Sequence, residues 1–588
     1  MPDTVLEILD ATVRAHSERP AMARKRGPEW EKTTWRAYRD TVRQAARALV
    51  ATGVGPGQGV VILAFNRPEW YVANLAAMAV GARPAGIYTN STPEQCRYIT
   101  EHAEAAVAVV ENRASLERLQ GAGGRPAGLK AIVLMDGPAT EPGVLTWAEF
   151  LARGDASHGA EVDRRTAVAR PGDVATLIYT SGTTGTPKGV MLTHGNLAFI
   201  AVTAQEILPV GAADRLISYL PLSHIAEQVV SHLLSLATGA CVYFAESLEK
   251  LPENLREVRP HLFLGVPRVW EKIQAGMQAA GAQASPLRRR IVAWARAVGL
   301  AGGYADQEGR PRPWSYALAD RLVFSKVRER LGFDEARMLV VSAAPIAKET
   351  LDFFQSLALP IMEVYGMSEC TGPTTLSLPK RYRLGRAGYA IPGTELRVTE
   401  DGEIQMRGPH VFKGYYKNDE ATRETLDADG WIHSGDVGEI DADGFLRVTD
   451  RKKEILITSG GKNIAPQHLE GKLKQIAAVS QAVAIGDRRP YVVALLTLDP
   501  ARVAAEAGKA GSPARTPEDA ARCPVFRAYV EKQVEAVNAS LARYETIKKV
   551  ALLPKELSVE SGELTPTLKL KRRVILERHG DAIDALYA

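Results

Sequence analysis

Residues 179–189 read Tyr-Thr-Ser-Gly-Thr-Thr-Gly-Thr-Pro-Lys-Gly, directly after the apolar run Val-Ala-Thr-Leu-Ile at 174–178. Three glycines free the backbone to turn its N–H groups toward an anion. Hydroxyls at Thr180, Ser181, Thr183, Thr184 and Thr186 add donors, and Lys188 adds charge. A strand that opens into such a loop has the chemistry of a polyphosphate cradle. It is not a Walker loop, which needs Gly immediately before the Lys, where Pro187 stands. It does not follow G-x-G-x-x-G either.

Outward from this loop, the first part of the chain alternates between helix and strand patterns. Helices are expected at 38–51, 68–80 and 93–101, and strands at 59–65, 83–87, 106–110, 131–135 and 174–179. More short apolar runs follow at 215–219, 241–244, 262–265, 338–342 and 361–364. This order predicts an α/β fold built from parallel-sheet units with helices on the sheet faces. The helical stretch 225–236 supplies Val229, Val230, Leu233 and Leu234 either to a tunnel or to the core. After Pro379 the pattern changes to turn-separated strands at 385–391, 395–398, 402–407, 438–440 and 446–449, which predicts a small β-rich subdomain over about 380–450. A fresh α+β pattern follows Asp450-Arg-Lys-Lys. The expected division is a large N-terminal domain, 1–450, and a smaller, mobile α+β C-terminal domain, 451–588. Residues 502–521, rich in Ala, Gly, Pro and charge, read as an insertion or a mobile surface segment.

The 588 residues are 46% hydrophobic and 24% charged, which is ordinary globular usage and excludes disorder as an overall class. A net charge of +5 is too weak for a protein that coats nucleic acid. Cys96, Cys241, Cys370 and Cys523 have neither C-x-x-C nor zinc-ligand spacing and read as reduced thiols of a cytoplasmic protein. The N-terminus, with Asp3, Glu7, Asp10 and Glu18, lacks the order of a signal peptide. No apolar run reaches the ~18–20 residues of a membrane span. A peripheral membrane contact remains an expectation, from the basic clusters 288–290 and 569–573.

Six further segments carry chemistry. Residues 363–369 read Glu-Val-Tyr-Gly-Met-Ser-Glu, an apolar strand ending on a carboxylate. Cys370 in place of the last Gly excludes a G-x-S-x-G hydrolase elbow. Ser342-Ala-Ala-Pro-Ile offers small residues at a strand end, where a flat base can approach the backbone. Gly430-Trp-Ile-His-Ser-Gly-Asp436 is followed by Asp450-Arg451, and an Asp with an Arg can hold a ribose. Thr458-Ser-Gly-Gly-Lys-Asn463 is a glycine turn. Pro221-Leu-Ser-His224 frames a histidine with apolar residues. The basic stretch near the end contains Thr565-Pro-Thr-Leu-Lys569, with Lys571 two residues further on.

Together these segments resemble the adenylate-forming (AMP-binding) superfamily, which includes acyl-CoA synthetases, luciferases and peptide-synthetase adenylation domains. The resemblance runs from about residue 38 to the C-terminus and is motif-dense from Tyr179 onward. It implies that Thr180, Ser181, Gly182, Thr183, Thr184, Gly185 and Lys188 hold ATP phosphates, and that Glu369 with Thr184 holds Mg²⁺. It implies an adenine site at Ala343, Ala344, Pro345, Tyr365, Gly366 and Ser368, where many members have Gly rather than Ala in the first segment. Asp436 and Arg451 fall to the ribose, and Gly460, Gly461 and Lys462 to the approach of CoA. Lys569 is the catalytic lysine, with Lys571 as the alternative register. His224 lies between the acyl pocket and the phosphates, and Lys453 falls at the hinge.

The segment Gly265-Val-Pro-Arg-Val-Trp270 resembles long-chain fatty-acyl-CoA synthetases, in which a Trp covers the acyl tunnel. The implied reaction joins a medium- or long-chain fatty acid to CoA through an acyl-adenylate, with ATP, Mg²⁺ and CoA required. The alternatives are an acyl-AMP ligase that loads a carrier protein, a CoA ligase for an aryl or polyketide acid, and a nucleotide-binding regulator without catalysis.

Overall fold

The computed structural model describes residues 2–180, 186–452, 454–459, 462–565 and 569–588. Two large sheets dominate it. One has eight strands, in the order Gly414–Tyr415, Lys188–Thr193, Val174–Thr180, Arg83–Gly86, Gly59–Leu63, Ala105–Val110, Ala131–Leu134, Val144–Thr146. The other has nine, and its centre is the parallel run Ile361–Met367, Met338–Val341, Leu262–Gly265, Arg215–Ser218, Cys241–Phe244.

The strand Gly59–Leu63 is buried along its whole length because both of its faces are covered. Val60 and Ile62 join the cluster that contains the helices Trp35–Ala51 and Pro68–Ala79. Val61 and Leu63 join a second cluster with Cys96 and Ile99 of the helix Pro93–His102 and Leu116 of Arg113–Gln120. The period-two alternation of an apolar strand thus divides its side chains between two layers of helix. The helix starts are local: Thr34, Thr92 and Asn112 each accept from a first-turn backbone N–H.

A four-stranded antiparallel sheet follows, Glu395–Val398, Glu403–Arg407, Ile432–Ile440 and Leu446–Arg451. The β-rich stretch is less self-contained than its sequence suggests. Of the strand expected at 385–391, only Tyr389–Ala390 forms, and it pairs with Gly372–Leu376 in the nine-stranded sheet. Gly414–Tyr415 crosses to the eight-stranded sheet and pairs with Met191 and Val190. Beyond Leu456 a three-stranded sheet, Val479–Ile485, Val492–Leu498 and Ile547–Leu553, has its own core on each face.

Residues 502–521 are not a mobile surface segment. They form the helices Val503–Ala510 and Pro517–Arg522, and Val503, Ala507, Ala514 and Ala520 are buried in the core of this last unit. Alanines at helical spacing pack closely without large side chains, so composition alone concealed their burial. The four cysteines are unpaired. Among the described residues, no helix is long and apolar enough to cross a membrane.

Candidate active site

The segments singled out by chemistry cluster because most of them lie just beyond the carboxyl ends of strands. His224 follows Arg215–Ser218, Trp270 follows Leu262–Gly265, Ala343 follows Met338–Val341, and Ser368 and Glu369 follow Ile361–Met367. In open parallel sheets this edge is where ligands bind. Thr180 ends Val174–Thr180 and pairs with Lys188, the first residue of Lys188–Thr193. The Gly/Ser/Thr loop therefore joins two antiparallel strands, and the second of these was not expected. Ser181, Gly182, Thr183, Thr184 and Gly185 lie outside the described residues, as do Lys453, Gly460 and Gly461.

Glu369 is buried at 7% exposure, and Tyr415 donates its hydroxyl proton to Glu369 Oε1 at 2.6 Å. The Lys188 ammonium lies 4.9 Å from the centre of the same Tyr415 ring. Burial raises the Glu369 carboxyl above the ordinary range, while Tyr415 and the charges of Lys188 and Lys569 pull it back. Tyr415 is the residue that sequence reasoning missed. The only local sign was an aromatic pair, Tyr415-Tyr416, after Gly414.

A second group lies beside it. Tyr365 donates to Asp436 Oδ2 at 2.8 Å, and Arg451 Nε lies 3.2 Å from Asp436 Oδ1. Asp436 and Arg451 are directly opposite one another on antiparallel strands. Ser434 fixes the approach, donating to Ile404 O at 2.6 Å and accepting from the Asp436 N–H at 3.0 Å. Gly366 allows neighbouring strands to touch, since a Cβ there would stand 1.8 Å from Gly372 O. Ala343 has φ +75°, a left-handed conformation that favours glycine, while Ala344 and Pro345 are exposed beside it. Ser368 is buried.

Lys569 reaches this place from the C-terminal unit. Its backbone N–H donates to Thr565 Oγ1 at 3.0 Å, and the Thr565 N–H donates back to Lys569 O at 2.8 Å, so it ends a tight loop. Burial first, then the Arg451 charge, lowers its ammonium to about 8. Asp436, Glu369 and Glu454 oppose that shift. His224 caps the helix Ile225–Glu227 by accepting from the Ala226 N–H at 3.1 Å. Burial, then Lys569, lowers its imidazole to about 4, so it is neutral near pH 7. The structure thus gathers Lys188, Glu369, Tyr365, Asp436, Arg451, His224 and Lys569. Lys571 instead occupies the N-cap position of the helix Arg572–Arg578, without a side-chain capping bond.

Two of the expected residues stand apart from this group. Lys462 is exposed on the C-terminal unit, 6.0 Å from the Tyr544 ring centre. Trp270 is fully buried, ringed by Phe263, Phe333 and Phe354, and donates its indole N–H to Val340 O at 3.1 Å. Gly265 makes room for that indole, because a Cβ there would lie 2.6 Å from Nε1. The same helix, Pro267–Ala282, also meets the C-terminal unit. Arg268 donates to Ser480 O at 3.0 Å, and Lys474 lies 3.9 Å from Glu271.

The residues present suit Mg²⁺ carried on substrate phosphates. Glu369 is a buried hard-oxygen donor flanked by two lysines, and no group of three or more His, Cys, Asp or Glu forms a separate metal cage among the described residues.

A two-sheet α/β body with a small C-terminal unit delivering one lysine to the strand ends is the fold of adenylate-forming enzymes. The adenylation domain of a carboxylate reductase from Mycobacterium chelonae superposes with a TM-score of 0.76 at 20% identity, over 99% of this chain and 91% of that one. The anthranilate CoA ligase AuaEII, solved with anthranoyl-AMP, superposes with a TM-score of 0.72 at 20% identity, over 100% and 99%. The family model described as AMP-binding enzyme matches residues 9–416, the one described as AMP-binding enzyme C-terminal domain matches 453–588, and the chain belongs to this family. It is similar along its whole length to proteins named long-chain-fatty-acid–CoA ligase. Identity is 38% to ACSBG2 of Xenopus laevis, covering 84% of that protein, and 37% to ACSBG1 of Bos taurus, covering 85%.

Proposed function

We propose that the protein is an ATP-dependent ligase that joins a medium- or long-chain fatty acid to CoA. The observation that carries this reading is Lys569, brought by the C-terminal unit to within electrostatic reach of Glu369 and Asp436. The full-length likeness to long-chain-fatty-acid–CoA ligases supports the choice of acid and acceptor.

In the first half-reaction a carboxylate oxygen attacks the α-phosphorus of ATP. The bond from that phosphorus to the β-phosphate oxygen breaks, and pyrophosphate leaves with the electron pair. Lys188 and the 180–185 loop hold the outgoing phosphates. Lys569 neutralises charge shared by the carboxylate and the α-phosphate as it builds. Glu369, oriented by Tyr415 and joined by Thr184, would hold Mg²⁺, which supplies further charge neutralisation on the phosphates. Asp436 and Arg451 hold the ribose, and Tyr365 with residues 343–345 receives the adenine. Neutral His224 separates the acyl pocket from the phosphates without adding charge. In the second half the CoA sulfur bonds to the acyl carbon, the bond from that carbon to the AMP phosphate oxygen breaks with the electron pair leaving on AMP, and the thiol proton passes to solvent. The chain divides at 450/451 and its C-terminal domain turns about Lys453, withdrawing Lys569 and bringing Gly460, Gly461 and Lys462 toward CoA.

Four unpaired cysteines support a cytoplasmic location, and the lipophilic acid supports work at a membrane surface. The test is acid-dependent AMP release across short, long and aryl acids, with CoA, with a phosphopantetheinyl carrier protein, or with neither. Long-chain acyl-CoA is expected as the product. Transfer only to the carrier protein identifies an acyl-AMP ligase, preference for aryl acids a different CoA ligase, and absence of AMP with every acid a regulator.

A further inference from the structure

Single exposed apolar side chains are ordinary, but a contiguous set is not. Seven of the thirteen large apolar side chains exposed among the described residues fall between Leu287 and Leu322. Six of them lie on two adjoining helical stretches. The helix Pro286–Gln307 is fixed to the body only through its later turns. Ala295, Gly299, Gly302, Gly303 and Ala305 are buried, and a Cβ at Gly299 would stand 2.3 Å from Ser356 O. Its first nine residues, 286–294, are all exposed and project about 13 Å at 1.5 Å per residue. At helical spacing Leu287, Ile291 and Trp294 share one stripe, with Arg288 and Arg290 on its two flanks. The second stretch packs on the first through Ala319, Val323 and Phe324, which share a cluster with Ala295. It leaves Leu318 and Leu322 exposed, and Trp314 at 93% exposure precedes it.

Charge follows the same division. Residues 286–322 hold seven Lys/Arg and three Asp/Glu, net +4, while the whole chain is +5. The remaining 551 residues therefore sum to +1, and most of the excess positive charge of the protein sits on this one projection.

We propose that the projection 286–322 docks the protein on an anionic lipid bilayer, with the Leu287–Ile291–Trp294 stripe and Trp314 entering the interface and the arginines meeting lipid headgroups. An apolar stripe flanked by arginines has the pattern of a helix lying in the headgroup region. A second copy of the chain fits less well, because a two-fold contact through this face would set Arg288–Arg290 near their own copies. The proposal rests on the reading of the substrate as a lipophilic acid. The helix Pro267–Ala282, with Trp270 in its first turn, lies three residues before the projection, so the proposed docking surface adjoins the element that carries the proposed acyl gate.

The test is flotation of the full chain with phosphatidylcholine vesicles and with vesicles containing about 30% phosphatidylglycerol. Three proteins are compared: the unmodified chain, the triple variant Arg288→Gln/Arg289→Gln/Arg290→Gln, and the double variant Leu287→Ser/Trp314→Ser. The unmodified chain is expected to float with anionic vesicles. The triple variant should lose about 100-fold in partitioning to them. The double variant should lose binding to both kinds of vesicle. All three should release AMP equally from octanoate, a water-soluble acid. Absence of vesicle binding at low salt, or undiminished binding of the triple variant, overturns the proposal. So does sedimentation velocity showing a dimer that the double variant dissolves. Loss of AMP release by the unmodified chain overturns the ligase reading instead, and vesicle binding is scored independently of it.

Discussion

Glu369 shows how burial and partners set the role of one side chain. Its carboxyl is raised by burial and steadied by Tyr415 and two lysines, so replacing it by an amide removes charge with little change of shape. Glu369→Gln should lower adenylation by two or more orders of magnitude and raise the Mg²⁺ concentration needed. Tyr415→Phe should lower it by about tenfold, the worth of one charge-assisted hydrogen bond of about 1.5 kcal/mol. Steady-state AMP release against Mg²⁺ checks both, and an unchanged Mg²⁺ dependence in Glu369→Gln rejects the metal assignment. Lys569 gives a pH dependence. Its ammonium titrates at about 8, below the usual lysine range, so the charged form is present below that pH and lost as pH rises through it. The kcat/KM for adenylation should fall above about pH 8, because that parameter reports the free enzyme. In Lys569→Arg, whose guanidinium stays charged, the residual activity should show no such fall.

Among the structural elements, strand ends decide where chemistry sits. Ala343 turns the chain out of Met338–Val341 with φ +75°. Ala343→Gly should change stability by less than about 1 kcal/mol, because relief of strain offsets the added freedom of the unfolded chain. Ala343→Val should lose roughly 1–2 kcal/mol, since a β-branched residue is strained at positive φ. Denaturant midpoints of the two variants check this. Trp270 belongs to the helix Pro267–Ala282 but is held by an aromatic cage and by Val340 O. Trp270→Ala would also open a cavity at a cost of about 3–5 kcal/mol, so Trp270→Phe is the cleaner probe. It should shift the KM for palmitate more than the KM for ATP. An effect confined to ATP rejects the gate.

For the whole molecule, the two half-reactions make opposite demands on one site. In the proposed mechanism Lys569 lies over the α-phosphate in the first and is withdrawn in the second. Lys569→Ala should abolish acyl-AMP formation while sparing thioester formation from supplied acyl-AMP. Lys453→Pro, by fixing φ at the proposed hinge, should do the reverse. Single-turnover rates of both halves for both variants test this, and equal losses throughout reject a rotating domain. The Arg268–Ser480 and Lys474–Glu271 contacts would have to break in such a rotation, which ties the helix carrying Trp270 to the position of the C-terminal unit.

What depends on neighbouring residues could be read from the order of the amino acids alone. Apolar runs gave the strands expected at 59–65 and 262–265, found at Gly59–Leu63 and Leu262–Gly265, and the hydroxyl-rich glycine loop and the other motifs gave the chemistry on which the proposed function draws. What depends on distant ones emerged from the packing of the folded chain. Tyr415 meets Glu369 across 46 residues and Tyr365 meets Asp436 across 71, and no local pattern encodes either pairing. The choice of Lys569 over Lys571 rests on which end of a short loop faces the cleft. The burial of Ala507, Ala514 and Ala520 within 502–521 and the exposure of 286–294 run against composition, since alanines there fill a core while Leu, Ile and Trp face outward. Burial belongs to the packing of whole elements, and a side chain's polarity gives only its preference.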